Sequence, residues 1–331
     1  MRLNKERQLW LFINRTEWQK KSRNSLLNYP IIFSRGDEPM DDQRKTVRMM
    51  QDYIKEHIQD NIRIEDLARV SAYSPWYIRK LFIKYLSMTP AVYVRRLKLS
   101  ESALRLRDEK TTVLDVAMDL GFGSVDGYQR AFRNEYGCNP KEYSTSPIPV
   151  WLFTPYLIEL NERKVSKMSE IRNVFIQVIE KPARKVILKR GKKATEYFSY
   201  CNEVGCDVWG LLKSIKSISG EPVCLWLPKH LRKPVTNEYV QGVEVEADYS
   251  GIVPDGFEVI DLPKAKYLLF RGEPFAEEDY ETAIGEIWQA ENKYNPEFIG
   301  YEWDDVNPRI QLEPVGKRGY IELVPVKEII H

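Results

Sequence analysis

Residues 64–93 read IEDLARVSAYSPWYIRKLFIKYLSMTPAVY, and residues 114–143 read LDVAMDLGFGSVDGYQRAFRNEYGCNPKEY. The anchors that recur at an offset of 50 residues are Phe82 and Phe132, Pro90 and Pro140, and Tyr93 and Tyr143. Upstream, Ala68 and Ala117 lie 49 residues apart, so the two copies differ by one residue in the turn. Matching anchors across an internal repeat indicate a duplicated structural unit.

Each copy predicts two helices joined by a short turn, which is a helix-turn-helix. Ser74 precedes a proline at a helix start, and Ser124 can cap the corresponding helix of the second copy. The second helices are then Pro75–Tyr85 and Ser124–Tyr136, and a helix Pro90–Arg107 joins the copies. Helical spacing predicts that the basic residues of the joining helix, Lys98 among them, face mostly outward. In a helix-turn-helix the second helix enters the major groove. The repeat therefore predicts two DNA-reading helices that engage consecutive major-groove segments about 34 Å apart.

Helical spacing separates the inward side chains of these helices from those that would face DNA. The side chains predicted to contact DNA are Trp76, Tyr77, Arg79, Lys80 and Lys84 in the first copy, Arg95 and Arg96 in the joining helix, and Val125, Asp126, Gln129, Arg130 and Arg133 in the second copy. Arginine and lysine match the acceptors of guanine, and Trp76 can contact apolar base edges or sugar. The second copy is expected to read less sequence, because Gly127 weakens its helix and Asp126 meets a polyanion poorly.

The composition is that of a soluble globular protein, with 43% hydrophobic and 30% charged residues in 331. Residues 1–40 carry a net charge of +4, residues 41–149 carry +3 and residues 150–331 carry −5. This asymmetry suggests a polyanion as partner of the front part and a neutral or cationic partner of the back part. Because no apolar run reaches about 18 residues and the first residues lack a signal-peptide pattern, we expect a cytoplasmic, nucleoid-associated protein. The cysteines and histidines lack metal-ligand or disulfide spacing, so no metal or cofactor is expected.

The composition and the hydrophobic pattern of the sequence divide the chain into four parts. Residues 1–39 have no sustained hydrophobic period and are predicted to be an N-terminal extension, and residues 40–146 hold the repeated helices. Residues 147–169 are predicted to be a linker, because a stretch rich in serine and proline leads into a polar, basic segment. Residues 170–331 alternate short β-type runs with helical stretches.

The back part is predicted to be α+β and internally duplicated. Its β-type runs are Val174–Ile179, Lys185–Leu188, Val223–Leu227, Phe257–Ile260, Lys266–Phe270 and Tyr320–Val324. Its helical stretches are Ala194–Ile215 and Glu277–Tyr294, and Val178 recurs as Val259 at an offset of 81 residues. The predicted fold is therefore an all-α double helix-turn-helix domain followed by an α+β domain of two pseudo-symmetric β/α repeats.

One set of residues in the second copy follows a known family pattern. These residues are Ala117, Gly121-Phe122, Phe132-Arg133, Gly137, Pro140 and Tyr143. With them, residues 41–144 resemble the DNA-binding domain of the AraC/XylS family of bacterial regulators. The resemblance implies a transcription activator that binds promoter sites in double-stranded DNA and acts with RNA polymerase. Gly127 and Cys138-Asn139 depart from the family pattern. These departures bear on the strength of the DNA contact made by the second copy and not on the fold.

Two strand motifs of the back part also follow a known pattern: EYVQGVEV at residues 238–245 and GYIELVPV at residues 319–326. They resemble the GyrI-like effector-binding domain. The resemblance implies a groove between the two halves, with aromatic walls and a strand carboxylate, that accepts hydrophobic and often cationic small molecules. The aromatic candidates for this ligand site are Trp209, Trp226, Trp288, Tyr301 and Trp303.

The carboxylate candidate is Glu322, because its partner in the repeat is the neutral Gln241. Its direction is left open by the sequence, since family members often carry the acid four residues before the strand proline and Glu322 lies three before Pro325. Neighbouring strand positions face opposite sides of a sheet, so a shift of one residue would turn the carboxylate away unless a bulge intervenes. Glu244 and Glu313 are the reserve candidates.

Two other functions of the back part are alternatives to a ligand sensor. Some GyrI-like relatives look like hydrolases of small electrophilic compounds, a reaction that needs an activated nucleophile or a paired acid and base. The histidine well inside this part, His230, has no evident partner in the sequence, so we expect no enzymatic activity. In the other alternative, the back part binds no ligand and serves as a protein-interaction module.

Overall fold

The computed structural model of the protein describes residues 42–155 and 173–329. The predicted extension at residues 1–39 and the predicted linker residues 156–169 lie outside the described residues. The described chain divides into two compact units. The first comprises residues 42–102 and 110–143, and the second comprises residues 103–109, 144–155 and 173–329.

The front part of the chain is helical. Its helices are α1 (Asp42–Glu56), α2 (Ile64–Ser71), α3 (Pro75–Leu86), α4 (Pro90–Asp108), α5 (Val113–Asp119), α6 (Val125–Tyr136) and α7 (Pro140–Thr145). The two helices that the sequence predicted to read DNA are present as α3 and α6, each within one residue of the predicted bounds at either end. None of the described helices is long and apolar enough to cross a membrane.

Both DNA-reading helices begin at the predicted serine caps. Ser74 Oγ accepts a hydrogen bond from the Tyr77 N–H at 3.3 Å, and Ser124 Oγ accepts one from the Gly127 N–H at 3.1 Å. These contacts satisfy amide donors that the first turn of a helix leaves free. In the turn before α6, Gly121 has a φ of +65°, a conformation that suits glycine.

The duplication is visible in the ring contacts of the first unit. Phe82 and Tyr93 pack edge to face with ring centroids 5.7 Å apart, and their repeat equivalents, Phe132 and Tyr143, do so at 5.6 Å. All four rings are buried. Edge-to-face aromatic pairs add to the stability that burial provides. The same contact therefore fixes the helix after the turn in each copy.

Helix α4 carries a buried lysine, although helical spacing placed it on the outward side. Lys98 is 5% exposed, and its Nζ donates hydrogen bonds to the carbonyl oxygens of Asp60 at 2.6 Å and Leu120 at 2.7 Å. Burial lowers the pKa of Lys98, although Asp60 acts in the opposite direction. Since Asp60 follows α1 and Leu120 follows α5, this one ammonium group joins the two copies.

Replacing Lys98 with methionine is expected to lower the free energy of unfolding by about 2–3 kcal/mol, because the buried Leu120 carbonyl oxygen and the partly buried Asp60 carbonyl oxygen both lose a charged donor. Urea denaturation followed by circular dichroism measures the change. Arg95→Met is the matched control, since Arg95 is exposed on the same helix and its replacement should shift stability by less than about 0.5 kcal/mol. Equal stability of the two variants would contradict the role given to Lys98.

The second unit is built on one antiparallel sheet. Its strands are β1 (Phe175–Lys181), β2 (Arg184–Arg190), β3 (Val223–Trp226), β4 (Tyr239–Glu246), β5 (Glu258–Leu262), β6 (Ala265–Arg271), β7 (Tyr301–Trp303), β8 (Arg309–Gln311) and β9 (Ile321–Glu328). The strand order is β1-β6-β9-β8-β3-β4-β2-β5, and β7 pairs with β9. The strands β7 and β8 are three residues long and were not predicted.

Three helices accompany the sheet: α8 (Tyr197–Val204), α9 (Val208–Ser214) and α10 (Tyr280–Lys293). The predicted helical stretch Ala194–Ile215 holds two helices, α8 and α9, because the chain breaks between them at Gly205, which has a φ of 110°. Hydrophobic periodicity continues across the break, so the pattern alone does not reveal it.

The described part of the predicted linker, residues 147–155, packs within the second unit. Val150 and Leu152 are buried, and the Val150 N–H donates a hydrogen bond to Ser214 Oγ at 2.9 Å. A Cβ atom on Gly210 would lie 2.2 Å from the Leu152 carbonyl oxygen, so the glycine permits this close approach. These nine residues are therefore fixed against α9 although they form neither helix nor strand.

Strand register brings a row of buried polar side chains to the centre of one sheet face. Cys224 is paired with Gln241 on one side and with Gln311 on the other, and Gln311 is paired with Glu322. The same face carries two apolar clusters, one with α8 and α9 and the other with α10. The polar row thus lies between two helix-covered halves of the sheet.

Candidate functional site

Helix α3 presents aromatic and basic side chains to solvent. Trp76 is 69% exposed, and Arg79 and Lys80 are exposed beside it. The Lys80 Nζ lies 5.5 Å from the centroid of the Trp76 ring, which is within cation–π range. An exposed tryptophan next to two cations forms a surface that can meet both bases and phosphates.

Two other predicted contacts on α3 are anchored to α1 by one glutamine. Tyr77 is half-buried, and its hydroxyl accepts a hydrogen bond from Gln43 Nε2 at 2.7 Å. Lys84 donates to Gln43 Oε1 at 2.8 Å. Gln43 therefore holds the side of α3 that faces α1, and it leaves Trp76 and Lys80 on the open side. No sequence pattern indicates this anchor, since Gln43 lies more than 30 residues upstream.

The two predicted contacts on α4 are placed differently. Arg95 is exposed, whereas Arg96 is half-buried and its Nε donates to Glu135 Oε1 of α6 at 2.8 Å. This ion pair ties α4 to the second DNA-reading helix. Arg96 thus positions α6 within the unit through its Nε.

Helix α6 exposes four of its five predicted contacts on one side, while Val125 is half-buried. The four, together with Asn139, line one shallow depression of the surface: Asp126, Gln129, Arg130 and Arg133. The charged residues of this depression are two arginines and one aspartate. The surface of α6 is thus more mixed in charge than the surface of α3, in accord with the weaker role expected of it.

A pocket of about 240 Å³ lies in the second unit. Its lining residues are Thr195, Glu196, Trp226, Trp288, Glu291, Asn292 and Arg309. They come from the segment before α8, from β3, from α10 and from β8. The pocket therefore lies on the sheet face that carries the polar row, between the two helix-covered halves.

The Arg309 guanidinium lies between two tryptophan rings. Its central carbon is 5.1 Å from the centroid of the Trp226 ring and 5.8 Å from that of Trp288. Its Nη2 lies 2.7 Å from Glu322 Oε2 and 2.9 Å from Glu291 Oε2. One cation thus lies near two tryptophan rings and two carboxyl groups, side chains that are typical of a cation-binding site.

Several buried polar atoms around Arg309 lack a hydrogen bond within the described part of the chain. They include both carboxylate oxygens of Glu322, both amide atoms of Gln241 and the hydroxyl of Tyr320. Arg309 Nη2 lies close to Glu322 Oε2, but Arg309 Nε and Nη2 and the two Glu322 oxygens make no well-aligned hydrogen bond within the described residues, so charge attraction dominates the pair. Buried polar groups normally have hydrogen-bond partners, so these unpaired atoms of Glu322, Gln241 and Tyr320 can accept a polar partner.

Burial also changes the acidity of the groups in this pocket. It raises the pKa of Glu291 to about 9, and the nearby Glu322 carboxylate raises it further while Arg309 opposes the shift. Burial likewise raises the pKa of Tyr320. At neutral pH the pocket therefore holds a protonated Glu291 beside an ion pair of Arg309 and Glu322.

The structure brings together Trp226, Trp288 and Glu322 of the predicted ligand site. Glu322 is fully buried and its carboxylate lies against Arg309 of the pocket lining, so the direction that the sequence left open is toward the pocket side of the sheet. Arg309 and Glu291 were not predicted. The spacing of Trp288 and Glu291, three residues apart on a predicted helix, places both on one helix face and was the available signal for Glu291.

Three predicted aromatic residues lie outside the pocket. Trp209 is buried in the apolar cluster beneath α8 and α9, because its position on α9 points into that core. Tyr301 and Trp303 lie on β7, which pairs with the far part of β9 next to Lys327 and Glu328. These three side chains are therefore placed away from the ligand site that the sequence predicted for them.

The reserve carboxylates and His230 also lie elsewhere. Glu244 is fully buried in an ion-pair network with Arg184 and Lys181, and Glu313 is half-buried outside the pocket lining. His230 is exposed in a single 3-10 turn, Lys229–Leu231. The contacts around Arg309 in the pocket therefore involve neither reserve carboxylate nor the histidine.

Comparison with known proteins places the similarity in the helix-turn-helix region. A family model described as a helix-turn-helix domain matches residues 67–146. Regulatory protein SoxS of Salmonella typhimurium is 32% identical over 100 residues, which cover 30% of this chain and 94% of that protein. Right origin-binding protein of Escherichia coli is 27% identical over 106 residues, which cover 32% of this chain and 37% of that protein.

A solved structure matches a similar share of this chain. The crystal structure of a probable AraC family transcriptional regulator from Rhodopseudomonas palustris is 27% identical, with a TM-score of 0.29, and the match covers 30% of this chain and 95% of that one. The similarity to these three proteins therefore extends over about a third of this chain or less.

Proposed function

The chain belongs to the AraC family of helix-turn-helix transcriptional regulators, and we propose that it recognises specific sites in double-stranded DNA by placing α3 and α6 in the major groove. The observation that carries this proposal is the exposed face of α3, on which Trp76, Arg79 and Lys80 stand together. Helices that read DNA present such side chains near their N-terminal ends. Because α6 is more mixed in charge, we assign most of the sequence discrimination to α3 and phosphate contacts to α6.

The proposal extends to how such a regulator works. Two non-identical reading helices on one chain suit an asymmetric site, so one copy of the protein is sufficient for recognition. We infer that the protein is an activator that acts with RNA polymerase at promoters, in the cytoplasm and on the nucleoid. These features rest on the family and on the basic front part of the chain.

For the second unit we propose a small-molecule sensor that takes a hydrophobic or cationic effector. Its support is the pocket between Trp226 and Trp288, with Glu291 and Glu322 beside it. Aromatic faces attract cations, and buried carboxylates without aligned donors favour a cationic partner.

We also propose that this unit arose by duplication. The strand order β1-β6-β9-β8-β3-β4-β2-β5 supports it. Exchanging β1 with β5, β2 with β6, β3 with β8 and β4 with β9 gives the same order read backwards. The pocket would then lie near the pseudo-twofold axis, where the two halves meet.

The DNA-binding proposal is tested on the full chain. Genome-wide binding first yields a site, and the dissociation constant for that site and for random duplex is then measured near physiological salt. Arg79→Ala and Lys80→Ala are each expected to weaken binding to the site by about 10- to 100-fold, because each removes contacts worth about 1–3 kcal/mol. Arg130→Ala should weaken binding to site and random duplex by similar, smaller factors, as expected for a phosphate contact.

Lys55→Ala is the matched control, because it removes one exposed positive charge from α1 without touching either reading helix. Equal affinity of the unaltered chain for its best genomic site and for random duplex would contradict sequence-specific binding. A loss of DNA affinity in Lys55→Ala as large as that in Arg79→Ala would show that only the total charge of the protein determines binding.

The sensor proposal is tested by tryptophan fluorescence and calorimetry with a panel of lipophilic cations, neutral compounds and acids. At least one cation or neutral compound is expected to bind, and Trp288→Ala should weaken that binding about tenfold. If no compound binds, the protein-interaction module is favoured. Turnover of reactive esters that a Glu322→Gln variant abolishes would favour the hydrolase instead.

A further inference from the structure

Arg309 has the environment of a bound ligand although it belongs to the chain. Its guanidinium carbon is within cation–π distance of the rings of both Trp226 and Trp288, and its Nη2 lies next to the carboxyl groups of Glu322 and Glu291. Side chains of ion-paired arginines more often lie at a surface or in a hydrogen-bonded fork. Here the flat cation occupies the space between two aromatic faces, where a flat cationic effector would have to lie.

The hydrogen-bond geometry indicates that Arg309 is replaceable. A structural arginine usually donates aligned bonds to its carboxylate, as Arg184 does to Glu244 in the same unit. Arg309 Nε and Nη2 make no aligned bond within the described residues, and both Glu322 oxygens are likewise without one. The contact therefore consists of charge attraction and cation–π attraction, which another planar cation can supply equally well.

The charges around Arg309 point the same way. Two carboxyl groups lie beside its guanidinium: Glu291, which is protonated at neutral pH, and the Glu322 carboxylate. Glu196, in the pocket lining, is engaged in capping α8. With Arg309 in place, the Glu322 charge is neutralised and an incoming cation finds little attraction. With Arg309 withdrawn, a buried carboxylate is left without its cation, which is unfavourable unless another cation replaces it.

We propose that Arg309 is a tethered competitor for the effector site, and that the effector class is a planar monocation, such as an amidinium or guanidinium, which binds by displacing the Arg309 side chain from between Trp226 and Trp288. The inference rests on the proposed sensor function of the second unit. Arg309 thereby sets specificity, because a neutral molecule of the same shape cannot replace its charge beside Glu322. Side-chain release from β8 also couples binding to a change at the centre of the sheet.

The test uses the full chain, with benzamidinium as a planar cation and benzamide as its neutral counterpart of the same shape. Dissociation constants are measured by isothermal titration calorimetry for the unaltered chain and for Arg309→Ala. Removing the competitor is expected to tighten benzamidinium binding about tenfold or more, while benzamide binding changes by about twofold at most. Arg309→Lys keeps the charge but loses the flat surface. Its dissociation constant for benzamidinium should lie between those of the unaltered chain and of Arg309→Ala.

Arg318→Ala is the matched control. Arg318 has the same side-chain exposure as Arg309, 33%, and is also ion-paired, in this case with Glu221, but it does not line the pocket. Its replacement should leave both dissociation constants unchanged. If Arg309→Ala does not fold, Arg309→Gln removes the charge while it keeps an amide beside Glu322, and the same tightening is expected.

Unchanged or weaker benzamidinium binding in the Arg309 variants would overturn the inference, and so would an equal gain for benzamide, which would mean that only space was created. The outcome is separable from that of the sensor proposal. If the unaltered chain binds a panel compound but the variants gain nothing, the sensor stands and the competitor does not. If only the variants bind, and they prefer benzamidinium, the competitor stands and sensing by the unaltered chain fails.

Discussion

Replacing Arg184 with alanine is expected to lower the free energy of unfolding by about 2–4 kcal/mol at pH 7, since the buried Glu244 carboxylate loses one of its two cations and keeps only Lys181. Arg184 is fully buried, and its Nε donates to Glu244 Oε1 at 2.5 Å. Its Nη2 donates to the Tyr267 hydroxyl at 3.0 Å. The loss therefore affects β2, β4 and β6 together, and urea denaturation followed by tryptophan fluorescence measures it.

The pH dependence of this loss has a definite sign. Burial alone would raise the pKa of Glu244, but Lys181 and Arg184 hold it below its ordinary value. The pair therefore contributes stability above the ordinary carboxyl pKa and loses it as the pH falls through the lower folded pKa. The penalty of Arg184→Ala should accordingly shrink in acid, where Glu244 is protonated in the variant.

A surface pair provides the control for Arg184. Lys264 and Glu180 form an ion pair with exposed side chains, 64% and 47%. Lys264→Ala should change stability by less than about 1 kcal/mol. If Arg184→Ala proved equally mild at pH 7, the network would not be the anchor of the sheet, and Glu244 would again be a candidate for binding a ligand.

The helical part of the molecule could be predicted from the sequence because the residues that specify its helices lie close together in the chain or recur at a fixed offset. Caps such as Ser74 and Ser124 and anchors such as Phe82 and Phe132 lie within one helical turn or at a fixed offset, so one pattern specified both the helices and their faces. Lys98 was placed outward by the same reasoning. Its burial depends on two carbonyl groups 38 and 22 residues away, which helical spacing does not report.

The ligand site was predicted less completely because its residues meet only through the sheet. Trp226 and Glu322 are on separate strands that reach one pocket through the pairing of β3 with β8 and of β8 with β9. The strand β8 has three residues, too few to show an alternating pattern, so Arg309 carried no signal. Trp209 was an equally reasonable candidate by composition, and only its position on α9 separates it from Trp226.

Glu291 connects the pocket to the stability of the whole second unit. Its folded pKa of about 9 is far above the ordinary value of 4.5, because burial and then Glu322 disfavour the charged form. Between these two values the folded chain binds a proton that the unfolded chain has released. The free energy of unfolding therefore falls as the pH rises through this window, and the contribution is fully present only below the ordinary pKa.

Glu291→Gln is expected to remove this pH dependence, because the amide keeps the shape of the protonated acid and cannot ionise. Relative to the unaltered chain, the variant should gain about 2–4 kcal/mol in free energy of unfolding between pH 5.5 and 8.5, less than the full shift implies because Arg309 and Glu322 readjust. Urea denaturation at three pH values in this range measures the gain. Glu281→Gln changes the same charge on an exposed position of α10, so its stability should follow that of the unaltered chain. Parallel curves for Glu291→Gln and the unaltered chain would mean that Glu291 is ionised in the folded protein, and the pocket would then carry a net negative charge beside Arg309 at neutral pH.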